Sequence, residues 1–123
     1  MTATKKISSP QETIIELVDS CHSGDIEKLQ RLFSPNALMT GYFNGEFYSG
    51  SPEPFFAELR DNPCPASTGA EYIGEILSVE EFGDIAQVTL KETGYLGADF
   101  INLFQLVYID ESWLIFSKAY IDQ

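Results

Sequence analysis

Few side chains in this 123-residue sequence have the type and spacing for chemistry. His22 is the only histidine. It could act as a general base near neutrality, or, in the last turn of a helix, simply complement the carbonyl end. Cys21 precedes it, but neighbours on a helix point about 100° apart, so the two make no Cys–His dyad. Glu58 lies among Phe55, Phe56 and Leu59, where a carboxyl group could be held protonated and serve as acid or base. The alternative is an edge position in water. Glu71, Glu75, Glu80, Glu81, Asp110 and Glu111 read as surface acids, and no pair has metal-ligand or glycosidase spacing. Gly94-Tyr95-Leu96-Gly97 lacks the lysine and the following helix of a phosphate loop. Neither a metal nor a cofactor is expected.

Composition narrows the partners. Seven Lys and Arg against nineteen Asp and Glu give a net charge of −12, the wrong sign for nucleic acid or an anionic membrane. Apolar residues make up 44% of the chain, with nine Phe and six Tyr, too many for an acidic disordered tail and enough for a core or a pocket. Two cysteines, Cys21 and Cys64, are too few for a disulfide scaffold. The first residues, MTATKKISSPQET, have no apolar run behind their lysines, so a signal peptide is not expected, and no stretch approaches the length of a spanning helix. A cytoplasmic protein with reduced thiols follows as the expectation.

The elements that must position these residues change period midway. Residues 1–8 are polar and are expected to be disordered, leaving one domain over 9–123. Ser9-Pro10-Gln11-Glu12 spells a helix start, with Ser as N-cap, Pro at the first position and Glu closing a capping box. Ile14, Leu17, Val18 and Cys21 form its apolar stripe, Gly24 ends it, and Asp25 caps a second helix striped by Ile26, Leu29, Leu32 and Phe33. Ala37–Phe43 and Glu46–Tyr48 flank Asn44-Gly45, a two-residue hairpin turn. A third helix follows Ser51-Pro52, with Phe55, Phe56 and Leu59 inward, and residues 62–69 read as a loop. Four long strands are expected over roughly 70–82, 85–96, 98–110 and 113–122, with Gly74 and Gly94 as bends. Strands that long coil. The reading is α+β: three N-terminal helices on a strongly curved antiparallel sheet.

Both faces of the late strands are apolar. Ile101, Leu103, Val107 and Ile109 alternate with Phe100, Phe104, Leu106 and Tyr108, and the last strand adds Leu114, Phe116 and Tyr120 opposite Trp113 and Ile115. Three short helices cover one face, so the other needs a cover, most simply a second copy of the chain. Phe100, Phe104, Leu106, Tyr108, Phe116 and Tyr120 are the expected interface of a homodimer.

Several local spellings then point to a family. Gly24-Asp25 with Phe33, Pro35-Asn36-Ala37 opening a strand, Ser49-Gly50-Ser51 before the third helix, and Tyr108-Ile109-Asp110 with Trp113-Leu114-Ile115 and Lys118 together resemble the nuclear transport factor 2 superfamily. The closing stretch is most similar to its branch labelled "putative lumazine-binding", related to polyketide cyclase-like and ketosteroid isomerase-like domains. The resemblance runs from about residue 10 to 122 and implies a cone whose sheet and helices enclose a pocket, in a dimer. Isomerase-like members use a tyrosine and a protonated aspartate to stabilise an enolate, and an aspartate as base. Registered on the shared spellings, this sequence has Leu17, Gly41 and Gln105 in those places, and none of the three titrates. An isomerase of that mechanism is therefore not expected.

The same register points Ala37, Met39, Ile101, Gln105, Trp113 and Ser117 into the cone, with Tyr42, Tyr72 and Gln87 near it, and puts Glu58 among the family's pocket aromatics. The function expected is a non-catalytic domain holding a small apolar or aromatic ligand by shape and neutral hydrogen bonds. Its ligand contacts would come from Leu17, Met39, Tyr42, Glu58, Ile101, Gln105, Trp113 and Ser117. Two alternatives stand beside it: a cyclase, dehydratase or isomerase using Glu58 or His22, and a protein-interaction module.

Overall fold

The computed structural model describes residues 6–123. Helix α1 (Pro10–Ser23) begins as its sequence dictates: Ser9 Oγ accepts from the Glu12 amide at 3.1 Å, and Gly24, at φ +76°, closes the C-terminus. Helix α2 (Ile26–Arg31) is capped by Asp25, which accepts from the Lys28 amide. Lys28 then ties the pair together through ion pairs to Glu16 and Asp19 on α1. Strands β1 (Phe33–Phe43) and β2 (Glu46–Gly50) form a hairpin across Asn44-Gly45, both at positive φ. Helix α3 (Glu53–Asp61) follows, and the stretch expected as loop contains one turn of helix, α4 (Pro65–Thr68).

Strands β3 (Ile73–Phe82), β4 (Ile85–Tyr95), β5 (Ala98–Ile109) and β6 (Ser112–Asp122) complete one six-stranded sheet in the order β2-β1-β6-β5-β4-β3. The sheet is mixed rather than antiparallel, because β1 joins β6 in parallel. The chain between them, which runs through β2, α3, α4 and β3 to β5, is long enough for the crossover that parallel neighbours require.

The helices cover one face. Ile14, Leu17 and Cys21 of α1 and Phe55 and Phe56 of α3 are buried with Val88, Leu90, Phe104, Leu106, Trp113 and Ile115 of the sheet. Gly74 is not a bend. Its missing Cβ makes room for the Val18 side chain, which a Cβ would meet at 2.5 Å, and the bulge in β3 falls beyond Ile76. Gly94, at φ +80°, does sit in an irregularity of β4. Ile7 is buried; its amide donates to Ser112 Oγ and its carbonyl accepts from the Trp113 amide. Disorder through residue 8 therefore does not hold for Ile7, while residues 1–5 lie outside the described residues. No helix among the described residues is long and apolar enough to cross a membrane.

Candidate functional site

Every second residue of β4 and β5 faces the helices: Ala86, Val88, Leu90 and Glu92 on one strand, Phe100, Asn102, Phe104 and Leu106 on the next. Toward one end of the sheet this face opens into a cavity of about 310 Å³. Its wall is aromatic, made by Phe43, Phe47, Tyr48, Phe55, Tyr95, Phe100 and Tyr120 with Met39, Pro54 and Leu96. Four charged residues, Glu46, Glu58, Glu92 and Lys118, and the amide of Asn102 complete it.

Three of these polar residues are buried: Glu92 is 3% exposed, Asn102 1% and Lys118 6%. They come from adjacent strands, and hydrogen bonds hold Glu92 to Asn102. Tyr72 Oη donates to Glu92 Oε2 at 2.5 Å and Asn102 Nδ2 donates to Glu92 Oε1 at 2.6 Å. Among the described residues Asn102 Oδ1 has no partner. Lys118 Nζ sits 3.4 Å from the centroid of the Phe55 ring and 5.7 Å from that of Tyr120, a cation–π seat with no hydrogen-bond acceptor among the described residues. Burial pushes the Lys118 ammonium below the usual lysine range, with the Glu92 carboxylate opposing that shift. Burial also raises the phenols of Tyr72, beside Glu92, and Tyr95, whose Oη donates to Glu58 at 3.0 Å. Both remain neutral donors.

The backbone explains who reaches the cavity. A Cβ on Gly41 would run into the carbonyl and ring of Tyr120, so glycine there lets that ring lie across β1. In β6 the pairing slips by one residue between Gln105↔Ser117 and Leu106↔Ile115. Trp113 and Ile115 face the helices, and beyond the bulge Lys118 and Tyr120 do so instead of Ser117 and Ala119.

Of the expected ligand contacts, Met39 and Glu58 line the cavity. Leu17 and Trp113 are buried in the core away from it. Tyr42 lies on the outer face with its ring 5.3 Å from that of Phe47. Ile101, Gln105 and Ser117 also point outward: Gln105 is exposed between buried Phe104 and Leu106, so the isomerase register is off by odd steps there and Asn102 is the inward amide. Ala37 is core, Tyr72 holds Glu92 from behind, and Gln87 pairs with Gln105 on the outer side. His22 is exposed at the end of α1 and does not line the cavity.

The expected interface divides likewise. Phe104 and Leu106 are fully buried under the helices, Phe100 and Tyr120 line the cavity, and Tyr108 packs on Trp113 with ring centroids 5.4 Å apart. Phe116, half-buried at the bulge, is the exception. A wall with neutral polar groups alone is also corrected, since Glu92 and Lys118 lie in it. Strand parity carried a signal for Glu92, two residues beyond Ala86, Val88 and Leu90 in step. Lys118 had none, because the bulge is not spelled in the sequence.

Comparison with known proteins agrees with this architecture. An NTF2-like protein of unknown function from Silicibacter pomeroyi DSS-3 is similar at 26% identity and TM-score 0.80, covering 92% of each chain. One from Methylobacillus flagellatus KT has TM-score 0.83 at 18% identity, covering 92% of this chain and 88% of its own. Another from Shewanella baltica OS155 has TM-score 0.81 at 18% identity, covering 92% and 90%. No curated protein matches the sequence. The family described as "Putative lumazine-binding" matches residues 5–121, and the chain belongs to that family, within the NTF2-like superfamily.

Proposed function

We propose that this domain is a small-molecule receptor that takes a flat, polar-edged ring into the aromatic cavity. One observation carries the reading. Among the described residues Asn102 Oδ1 is buried at the cavity with no hydrogen-bond partner, and Lys118 Nζ at the same cavity rests on an aromatic ring; buried polar groups are normally paired. A ligand with an N–H donor and a carbonyl acceptor would satisfy both, while its ring stacks among the aromatics. A volume of about 310 Å³ accommodates one small ring system. The family description names lumazine, a flat heterocycle with such an edge, which makes it a suitable first probe. Asn102→Leu keeps the shape of the side chain and removes its amide. By calorimetry it should weaken lumazine binding roughly tenfold or more; unchanged affinity would remove the amide from recognition.

The same reading makes the protein a cytoplasmic homodimer joined through the outer face of the sheet. Ile101, Leu103, Gln105 and Val107 of β5 and Leu114, Ser117, Ala119 and Ile121 of β6 face outward and carry no charge, in a chain of net charge −12. Leu103 and Ile121 are 42% and 48% exposed. An uncharged, largely apolar patch on so acidic a protein suits a second copy, which can meet it without bringing carboxylates together.

A further inference from the structure

Resting on the cavity as a binding site, we propose that Lys118 is an amine nucleophile, and that the ligands it selects are aryl aldehydes or ketones captured as an imine. The geometry sets the amine apart from other lysines. Its Nζ rests on the Phe55 ring at 3.4 Å and makes no hydrogen bond or ion pair among the described residues, yet the residue lines the cavity. The ring face favours the ammonium, but burial leaves it poorly solvated, and the buried amine sheds its proton more readily than one in water. Lys28, by contrast, is held by Glu16 and Asp19, and Lys6 and Lys91 are exposed. Glu92 is the base on the same face and, with no ion pair between the two side chains, it exchanges protons with the amine through one intervening water. Tyr72 and Asn102 each take one lone pair of its two oxygens, which leaves others to accept a proton.

The reaction closes without any further reagent. The neutral amine attacks the carbonyl carbon, and the carbon–oxygen π pair moves to oxygen. Through that water Glu92 carries one amine proton to that oxygen, giving the carbinolamine. It then carries the second amine proton to the hydroxyl, the carbon–oxygen bond breaks, water leaves, and the nitrogen lone pair closes the C=N bond. One water is released and Glu92 ends as it began. The carbinolamine hydroxyl can meanwhile donate to Asn102 Oδ1, the acceptor left open in the free protein. The aromatic wall favours a carbonyl attached to a ring.

Benzaldehyde with sodium cyanoborohydride tests this on the intact chain, read by peptide mass spectrometry, with benzyl alcohol as a ring lacking the carbonyl. Lys118 should become benzylated about tenfold faster than Lys6, Lys28 or Lys91. Benzyl alcohol should protect Lys118 selectively in the unaltered protein, and Lys118→Arg should abolish the fast phase. Labelling spread evenly over the lysines while benzyl alcohol still binds would overturn the nucleophile and leave the cavity reading intact. Failure of benzyl alcohol to bind, with no preference for Lys118, would overturn both.

Discussion

Asn102 joins the two halves of the site in one amide group: Nδ2 holds Glu92 at 2.6 Å, and Oδ1 is left open at the cavity. The carboxylate depends equally on Tyr72 behind it. Tyr72→Phe removes one of two donors to a buried charge and should lower stability by about 1–3 kcal/mol, read from the urea midpoint. The cysteines offer a second test. Cys21 is buried in the core, and desolvation pushes its thiol up to about 12, whereas a hydrogen bond from Ser67 lowers that of Cys64. A thiol reagent at neutral pH should therefore react with Cys64 in the native protein and reach Cys21 only after unfolding. With the Cys21 pKa raised from 9.0 to about 12, the unfolded chain gives up that proton first. The stability contributed by Cys21 is thus complete below pH 9 and lost as pH rises through the interval to about 12. Cys21→Ala should show a shallower alkaline loss than the parent in pH-dependent urea melts; an identical slope would contradict this.

At the scale of elements, β6 decides the site. Its single slip near Phe116 turns Lys118 and Tyr120 inward, and Gly41 on β1 gives the Tyr120 ring its place. Gly41→Ala should cost about 1–3 kcal/mol, because the added methyl meets backbone as well as ring; a melt unchanged from the parent would show that Tyr120 can move aside freely. These features mark the limit of what the sequence discloses. Ser9 and Asp25 as caps, Gly24 as a stop and Asn44-Gly45 as a turn are local chemistry, and each is found where it is spelled. Which face of β5 points inward is not local. Both faces are apolar, Asn102 and Gln105 are amides of opposite parity, and only packing under α1 and α3 chooses between them. Glu92 follows Lys91 and looks like one of a surface pair until the step from Val88 through Leu90 is followed to it.

For the whole molecule, the helices use one face of the sheet and leave on the other an uncharged patch along the middle of β5 and β6. If two copies meet there, Leu103→Glu places like charges across the interface and should shift the protein from dimer to monomer in sedimentation velocity. Phe104→Glu, one residue away, should unfold the chain instead, since Phe104 is fully buried. A parent protein that sediments as a monomer at high concentration would contradict the dimer and leave the cavity untouched.

The receptor claim itself is tested most directly at Met39, one of two methionines in the sequence and a wall residue of the cavity. With carbon-13 in the methionine methyls, titration with lumazine should move the Met39 signal saturably, as the ligand ring enters beside it. A Met39 signal that stays fixed while lumazine binds elsewhere, or that responds to neither lumazine nor benzyl alcohol at saturating concentration, would contradict the account.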